Sequence, residues 1–485
     1  MYGFHRDELL YYSLGHRPDW GFWSVPPFIG SLSWLIQATI GDGIFGFRLV
    51  SSLTGCGLML LVAMISRELG GNSWAQAISV LGIFMAPVYM RTSVFFMPVI
   101  YDVFFWTLSY YWLIRYMNER QNWQLYAITV TLAVGFLNKY LIVFLLIAFL
   151  IGFLLSSYRE LYKNKHLWLA AGLALVLILP NVLWQVKYDF PVLTHMRLLK
   201  TYQLDNVEPR GFLLEQFLFT LMASLLWVPA LFWLFIKRKK QRILVYTYIV
   251  VICLLLAFQG KGYYSAGLYP LMIAAGAVFW ESEVEWTPIR YLLPLFIVLP
   301  TLGTLPFGMP ILGPEKMINY GKWTSKNLHL QMFLRWENGE IYDLPQDYAD
   351  MLGWEELGQI ILKAWRQALD PEQTILYCEN YGQAGAAMRF AVPEGVPEPI
   401  SFNGTFAIWA PIETQAHTLI YVNDELGEDI QQIFSDIQLI GRIEHPYARE
   451  RGTQVYLCQK PVQPFSNLWN RRIQEVKANL GIQLE

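Results

Sequence analysis

Residues 212–242 read FLLEQFLFTLMASLLWVPALFWLFIKRKKQR. The first 25 residues of this stretch carry one charge, Glu215. The last six carry five cations: Lys237, Arg238, Lys239, Lys240 and Arg242. A helix of about 20 apolar residues spans a hydrocarbon core of roughly 30 Å. Five clustered cations resist translocation, so the block marks the inside end of a membrane span. Nine further apolar runs lie near 45–66, 75–90, 98–118, 123–138, 140–156, 167–186, 243–258, 266–281 and 289–306. The expectation is a body of about ten spans.

Composition agrees, but only for part of the chain. The 485 residues are 55% hydrophobic, 16% aromatic and 15% charged, with a net charge of −2. This excludes a disordered chain, a coiled coil and a basic nucleic-acid binder. Residues 1–313 hold 22 Lys and Arg against 15 Asp and Glu; residues 314–485 hold 14 against 23. A net of +7 precedes a net of −9, so the two parts live in different solvents. Three regions follow: 1–44, a first outer loop with interfacial helices; 45–313, the helical membrane body; and 314–485, a separate domain.

With residues 1–44 outside, the inside loops carry Arg67, Arg115, Arg120, Arg159, Lys163, Lys165, the 237–242 block and Arg290. The outer segments carry fewer cations, and an even number of spans returns the chain outside. The acidic part is then extracytoplasmic. No basic, apolar leader opens the sequence. Either the first long span inserts with its N-terminus out or a preceding helix is missing. Residues 9–40 mix Leu, Tyr and Trp with polar groups. They suit helices in the interface, with Trp20, Phe22 and Trp23 at headgroup depth.

Beyond 314, residues 314–345 read as an irregular connector, followed by a helix at 354–369. Strand-like runs at Thr374–Cys378, Thr418–Val422, Ile437–Ile443 and Gln454–Cys458 alternate with helical stretches near 382–390 and 425–435. That is a small α/β domain, ending in an exposed amphipathic helix at 464–485. It has no GxGxxG, P-loop or HExxH pattern. Cys56 and Cys253 sit within spans. Cys378 and Cys458 close strands, and a disulfide between them is left open.

Charges at membrane depth are costly and default to functional candidates. Most lie on the outer side: Asp7 and Glu8 before the first interfacial piece, Asp102 in a first turn, Lys139 between spans and Lys261 in an outer turn. The outer loop adds Lys187, Asp189, His195, Arg197, Lys200 and Arg210. Cations hold a phosphate and carboxylates do acid–base work. Each residue also has a plainer reading. Arg48 snorkels to headgroups, Asp102 complements a helix dipole, Lys139 is a connector lysine, and Asp7-Glu8 is a surface pair at a frayed end.

The stretch Phe4-His5-Arg6-Asp7-Glu8-Leu9-Leu10-Tyr11-Tyr12 resembles the first outer loop of the polytopic glycosyltransferases of the protein O-mannosyltransferase and aminoarabinose transferase type. The similarity continues in order through Asp19-Trp20-Gly21, Pro26-Pro27, Phe47-Arg48-Leu49, Arg67-Glu68-Leu69-Gly70-Gly71, and Asp102 with Phe105-Trp106. It goes on through Leu137-Asn138-Lys139-Tyr140, Leu179-Pro180-Asn181 and Gly260-Lys261 with Tyr264 and Tyr269-Pro270. Tyr348–Trp354 and Tyr381-Gly382-Gln383-Ala384 look like the bacterial branch.

The resemblance implies a GT-C fold, a polytopic α-helical membrane protein with a C-terminal extracytoplasmic α/β domain, in a bacterial inner membrane. It implies a sugar donor on a polyprenyl phosphate at the outer leaflet and inversion at the anomeric carbon. Asp7 would be the base and Glu8 its orienting neighbour. Lys139, Lys261 and Arg48 would meet the donor phosphate. Tyr140, Asp102, Tyr264, Tyr269 and Asn181 would line the pocket. The expected partners are the prenyl-phosphate sugar, membrane lipids and an acceptor glycan, lipid or protein; nucleic acid is not among them. The resemblance names no definite cofactor, and a divalent metal is left open. Two departures matter. Many relatives have His before the Pro-Pro pair, where this chain has Trp23-Ser24-Val25. Relatives also carry a transmembrane helix before the Asp-Glu pair, so a truncated start is expected here. The competing readings are a membrane transporter of a small or lipid-linked solute and a membrane-anchored binding module.

Overall fold

The structure, a computed structural model, describes residues 2–202 and 207–480. Two short helices open it, α1 (Arg6–His16) and α2 (Phe28–Thr39). His5 explains where the first begins. Its Nδ1 accepts from the Asp7 amide at 3.1 Å while the Glu8 carboxylate accepts from the His5 amide at 2.8 Å. This reciprocal cap satisfies two amides that a helix start leaves open. Asp7 and Glu8 therefore stand in the first turn of a helix, not in a loop preceding one.

The body follows as α3 (Ile44–Glu68), α4 (Ser73–Met85), α5 (Pro87–Thr92), α6 (Pro98–Glu119), α7 (Asn122–Asn138), α8 (Ile142–Leu155), α9 (Lys165–Lys187) and α10 (Pro191–Tyr202). It continues with α11 (Pro209–Thr220), α12 (Ser224–Ile236), α13 (Arg242–Ala257), α14 (Tyr269–Ser282), α15 (Ile289–Leu302) and α16 (Leu305–Gly308). Helix lies on each of the ten apolar runs. Four stretches are long and apolar enough to cross a membrane: Ile44–Glu68, Lys165–Lys187, Pro209–Ile236 and Lys239–Ala257. The others are shorter or more polar. Pro87 ends the run at 75–90 early, because a residue before proline avoids the helical region; Ala86 has ψ 121°. The run at 266–281 opens as a 3-10 turn, Gly262–Leu268, before α14. Every residue of α14 from Tyr269 to Val278 is buried. It is the central helix of the bundle, packed on α12, α4 and α3.

Residues 314–345 are not the irregular connector expected. Pro314–Leu328 is a helix, α17, with Pro and Glu315 in its first turn. Proline suits that position because the missing N–H would have no partner there. Met317, Ile318, Gly321 and Thr324 form its buried stripe. The Tyr320 hydroxyl ties it to the end of α15 by donating to the Gly303 carbonyl at 2.6 Å. Next come α18 (Gln346–Ala349) and α19 (Trp354–Gln367). They lead into β1 (Thr374–Cys378), α20 (Tyr381–Phe390), α21 (Thr405–Trp409), β2 (Thr418–Asn423), α22 (Glu428–Ile433), β3 (Phe434–Arg442), β4 (Gln454–Pro461) and α23 (Phe465–Asn479).

The sheet order is β1-β2-β4-β3, with β1 parallel to β2 and the other pairs antiparallel. Side chains alternate across it. Leu376, Cys378, Ile420, Val422 and Leu457 join a core shared with α19, α20 and α1. Tyr377, Leu419, Tyr421 and Cys458 face α23, whose Phe465, Trp469 and Ile473 recur every fourth residue and are buried. The terminal helix thus packs on the sheet instead of standing exposed; residues 481–485 of its expected range lie outside the described residues.

Candidate functional site

The first turn of α1 points two neighbouring carboxylates in different directions. Glu8 goes inward, with a fully buried side chain. Its oxygens accept from Arg48 Nη2 at 2.8 Å, Arg48 Nε at 3.2 Å, the Phe96 amide at 2.9 Å and the His5 amide. Arg48 also donates to the Gly3 carbonyl and lies over the Phe95 ring. The pair is a saturated clamp between α1, α3 and the turn before α6.

Asp7 is half-buried. Its Oδ1 accepts from the Tyr381 hydroxyl at 2.8 Å. Tyr11 is near enough to feel both Asp7 and Tyr381, and burial first, then the Asp7 charge, pushes the Tyr11 phenol well above its ordinary range. Tyr381 is raised in the same way and for the same reasons. Both phenols therefore stay protonated and can donate to a carboxylate.

Beyond Asp7 lies Tyr263, which feels the charge of Asp7 and the hydroxyl of Tyr11. Lys139 Nζ sits over the Tyr263 ring at 5.3 Å and the Tyr264 ring at 4.8 Å. Ammonium groups favour ring faces. Lys139 caps the C-terminus of α7, where it interacts electrostatically with Asp102 and Lys261. Asp102 is buried in α6 and accepts from Trp106 Nε1 at 3.1 Å. Lys261 leads into the 3-10 turn that carries Tyr263 and Tyr264, and Glu215 anchors that turn by accepting from the Gly262 amide at 3.1 Å. Asp7, Tyr11 and Tyr263 thus lie within electrostatic reach of one another, as do Lys139 and Lys261, and Lys139 over the Tyr263 ring joins the two groups.

Other sequence candidates are engaged in hydrogen bonds of their own. Tyr140 donates to Asn181 Oδ1 at 3.1 Å, and Asn181 donates to the Trp20 carbonyl at 2.7 Å. Asn181 is fully buried, so it holds the Asp19–Trp20 loop in place. Tyr269 is buried and spends its hydroxyl on Gln216 at 2.6 Å. Arg48 is engaged with Glu8 through Nε and Nη2. Sequence reasoning gave no role to Tyr263, and met Arg6, Tyr11 and Tyr381 as parts of a family resemblance. Tyr381 is 374 residues from its partner, and no local pattern announces such a contact. Among the described residues no group of three or more His, Cys, Asp or Glu side chains is placed to hold a metal ion.

Residues 24–184 match the family described as dolichyl-phosphate-mannose-protein mannosyltransferase. Two solved structures of ArnT from Cupriavidus metallidurans match over nearly the whole chain. The apo form has a TM-score of 0.61 at 14% identity, covering 94% of this chain and 93% of that one. The form bound to undecaprenyl phosphate has a TM-score of 0.59 at 13% identity, covering 94% of each. This is the GT-C fold. A curated relative, the lipid A galacturonosyltransferase RgtD of Rhizobium johnstonii, is 25% identical over 203 residues. That stretch covers 40% of each chain, so the match spans under half of the relative's length. The family match contains Arg48, Asp102, Lys139, Tyr140 and Asn181 and starts after Asp7 and Glu8. The apolar helices and the fold make it a multi-pass membrane protein.

Proposed function

We propose that this chain is an inverting glycosyltransferase of a bacterial inner membrane, using a polyprenyl-phosphate sugar at the outer face. The observation that supports this reading is that Tyr263 lies within electrostatic reach of Asp7 while Lys139 Nζ sits over its ring at 5.3 Å. One carboxylate and a pair of ammonium groups are what a single displacement on a sugar phosphate needs. Asp7 takes the proton from the acceptor hydroxyl as its oxygen bonds to the anomeric carbon. The bond from that carbon to the phosphate oxygen breaks, and its electron pair leaves with the prenyl phosphate. Lys139 and Lys261 stabilise the charge that grows there. The leaving phosphate needs no protonating acid. Arg48 and Glu8 hold α1 in place and take no direct part. The acidic α/β domain lies outside the cytoplasm, above the site.

The donor class rests on the matching family's description and on the prenyl phosphate bound by the ArnT neighbour. A saccharolipid acceptor, the class named for RgtD, is the first to assay. The test is transfer by the full chain in nanodiscs. Undecaprenyl-phosphate hexose, uronic acid and aminopentose donors are offered with lipid A and with a Ser/Thr peptide. Transfer by wild type, its loss in Asp7→Asn at equal folded yield, and inverted anomeric configuration by NMR are expected. Full activity of Asp7→Asn overturns the base. Solute flux without transfer points to the transporter reading.

A further inference from the structure

We infer that the α/β domain supplies a positioning residue to the site of the membrane body: Tyr381 holds the Asp7 carboxylate in its working orientation. This rests on the proposed role of Asp7 as base.

Three observations converge on it. First, the Tyr381 hydroxyl donates to Asp7 Oδ1 at 2.8 Å, while Oδ2 takes no hydrogen bond from the described residues. One oxygen is thereby fixed and the other stays available for an acceptor proton. Second, α20 is built to come close to α1. A Cβ added at Gly385 would lie 2.8–2.9 Å from Leu9 Cβ and the Leu9 carbonyl group. One added at Gly382 would lie 2.8 Å from Arg6 Cγ and 2.9 Å from the Trp354 ring. Contacts that short are not tolerated, so glycine at 382 and 385 is what lets the helices touch. Tyr381 precedes this Gly-x-x-Gly face directly, and the close approach delivers its hydroxyl to Asp7.

Third, the ring is braced from behind. Arg6 lies over the Tyr381 ring at 4.7 Å and reaches Glu450 at 3.9 Å. Glu450 also accepts from Asn380 at 3.2 Å and Gln383 at 2.9 Å. Asn380 caps α20 through the Gly382 and Gln383 amides. The Asp350 carbonyl accepts from the Arg6 amide at 3.1 Å, and Arg449 pairs with the Asp350 carboxylate at 3.0 Å. Arg6, which precedes Asp7, is thus tied to the outer domain, and the residues that flank Tyr381 are tied to the same Glu450. If that domain only selected acceptors, it would have no need to reach the carboxylate itself.

The step Tyr381 assists is the acceptor deprotonation. It gives up no proton in the cycle; it orders Asp7 before the acceptor arrives. Removing its hydroxyl therefore slows turnover without loosening the donor. The experiment compares wild type, Tyr381→Phe, Asp7→Asn, the double variant and Gly385→Ala in nanodiscs. Rates are normalised to protein that is monodisperse on size exclusion. Tyr381→Phe is expected to lower kcat about tenfold, as loss of one hydrogen bond to a charged group does, with KM for the prenyl-phosphate sugar unchanged. The double variant is expected to equal Asp7→Asn, because the two side chains act as one unit. Gly385→Ala, which keeps the hydroxyl but parts the helices, is expected to reproduce the kcat loss.

A wild-type kcat in Tyr381→Phe overturns the inference, as does a Tyr381→Phe loss that persists in full on the Asp7→Asn background. A rise in donor KM with kcat unchanged also overturns it, in favour of a binding role. If Asp7→Asn retains full activity, the base assignment falls and this inference with it. That outcome is distinct from an inactive Asp7→Asn beside an unaffected Tyr381→Phe.

Discussion

Glu8 and Arg48 form a buried ion pair in which the carboxylate has no exposed atom and two guanidinium nitrogens meet it at 2.8 and 3.2 Å. Two backbone amides complete its shell. Removing one member strands the other in a dry environment, at a cost of about 3–5 kcal/mol. Glu8→Ala and Arg48→Ala should therefore reduce folded yield and melting temperature, while Asp7→Asn should leave both near wild type. A thermal shift series in detergent measures this. Glu8→Ala melting together with Asp7→Asn would show that the pair holds nothing.

Lys139 and Lys261 approach the site from two different connections, one after α7 and one before α14. Charge-assisted bonds to phosphate oxygens are the stronger class. Lys261→Gln should lower kcat/KM for the prenyl-phosphate sugar by about tenfold to a hundredfold, and Lys139→Gln by at least as much. KM for the acceptor should stay the same. Steady-state kinetics with each substrate varied in turn checks the assignment. An unchanged donor KM and kcat in both variants would remove the lysines from the phosphate site.

Cys378 and Cys458 are free thiols on opposite faces of the sheet. Cys378 is on β1, opposite Val422; Cys458 is on β4, opposite Leu419, with β2 between them. A disulfide needs Cβ atoms about 3.5–4.5 Å apart, and a strand separates these two. Burial pushes the Cys458 thiol up to about 12 and Cys378 further still. Thiolate is the reactive form, so both should resist maleimide at pH 8 in the folded protein and label fully once denatured. Intact mass should be the same with and without reductant. A two-proton mass deficit that reductant restores would contradict the placement.

Much of this fold was legible in the chain. The apolar runs and the 237–242 cations give the bundle, because lipid demands long apolar helices whatever their packing. The strands at 374–378, 418–423 and 454–461 were nearly right, because burial on both faces leaves continuous Leu, Ile, Val and Tyr. Helix α17 was missed because its sequence, with Lys316, Lys322 and Lys326 on its surface, is polar except for one narrow stripe. At the site, charge alone made Asp7, Lys139 and Lys261 candidates among many outer charges, and only the family resemblance gave them roles. Glu8 and Arg48 could not be separated from them, since nothing local tells a carboxylate that turns inward from one that turns out. Tyr381 and Glu450 depend on two helices meeting from opposite ends of the chain.

The centre of the bundle depends on one small residue. A Cβ at Gly276 of α14 would fall onto the carbonyl group of Leu226 in α12, which is backbone and cannot move aside. Overpacking a tight contact costs about 1–3 kcal/mol even where side chains can shift, so Gly276→Ala should be strongly destabilising. Gly172, in the exposed interior of α9, has nothing within 4 Å of the same added atom. Gly172→Ala should be neutral or stabilising by about 0.5–1 kcal/mol, the usual helix preference for alanine. Melting temperatures of the two variants, measured in the same detergent, should move in opposite directions or leave Gly172→Ala unchanged. Equal losses in both would mean that α12 and α14 do not touch at Gly276.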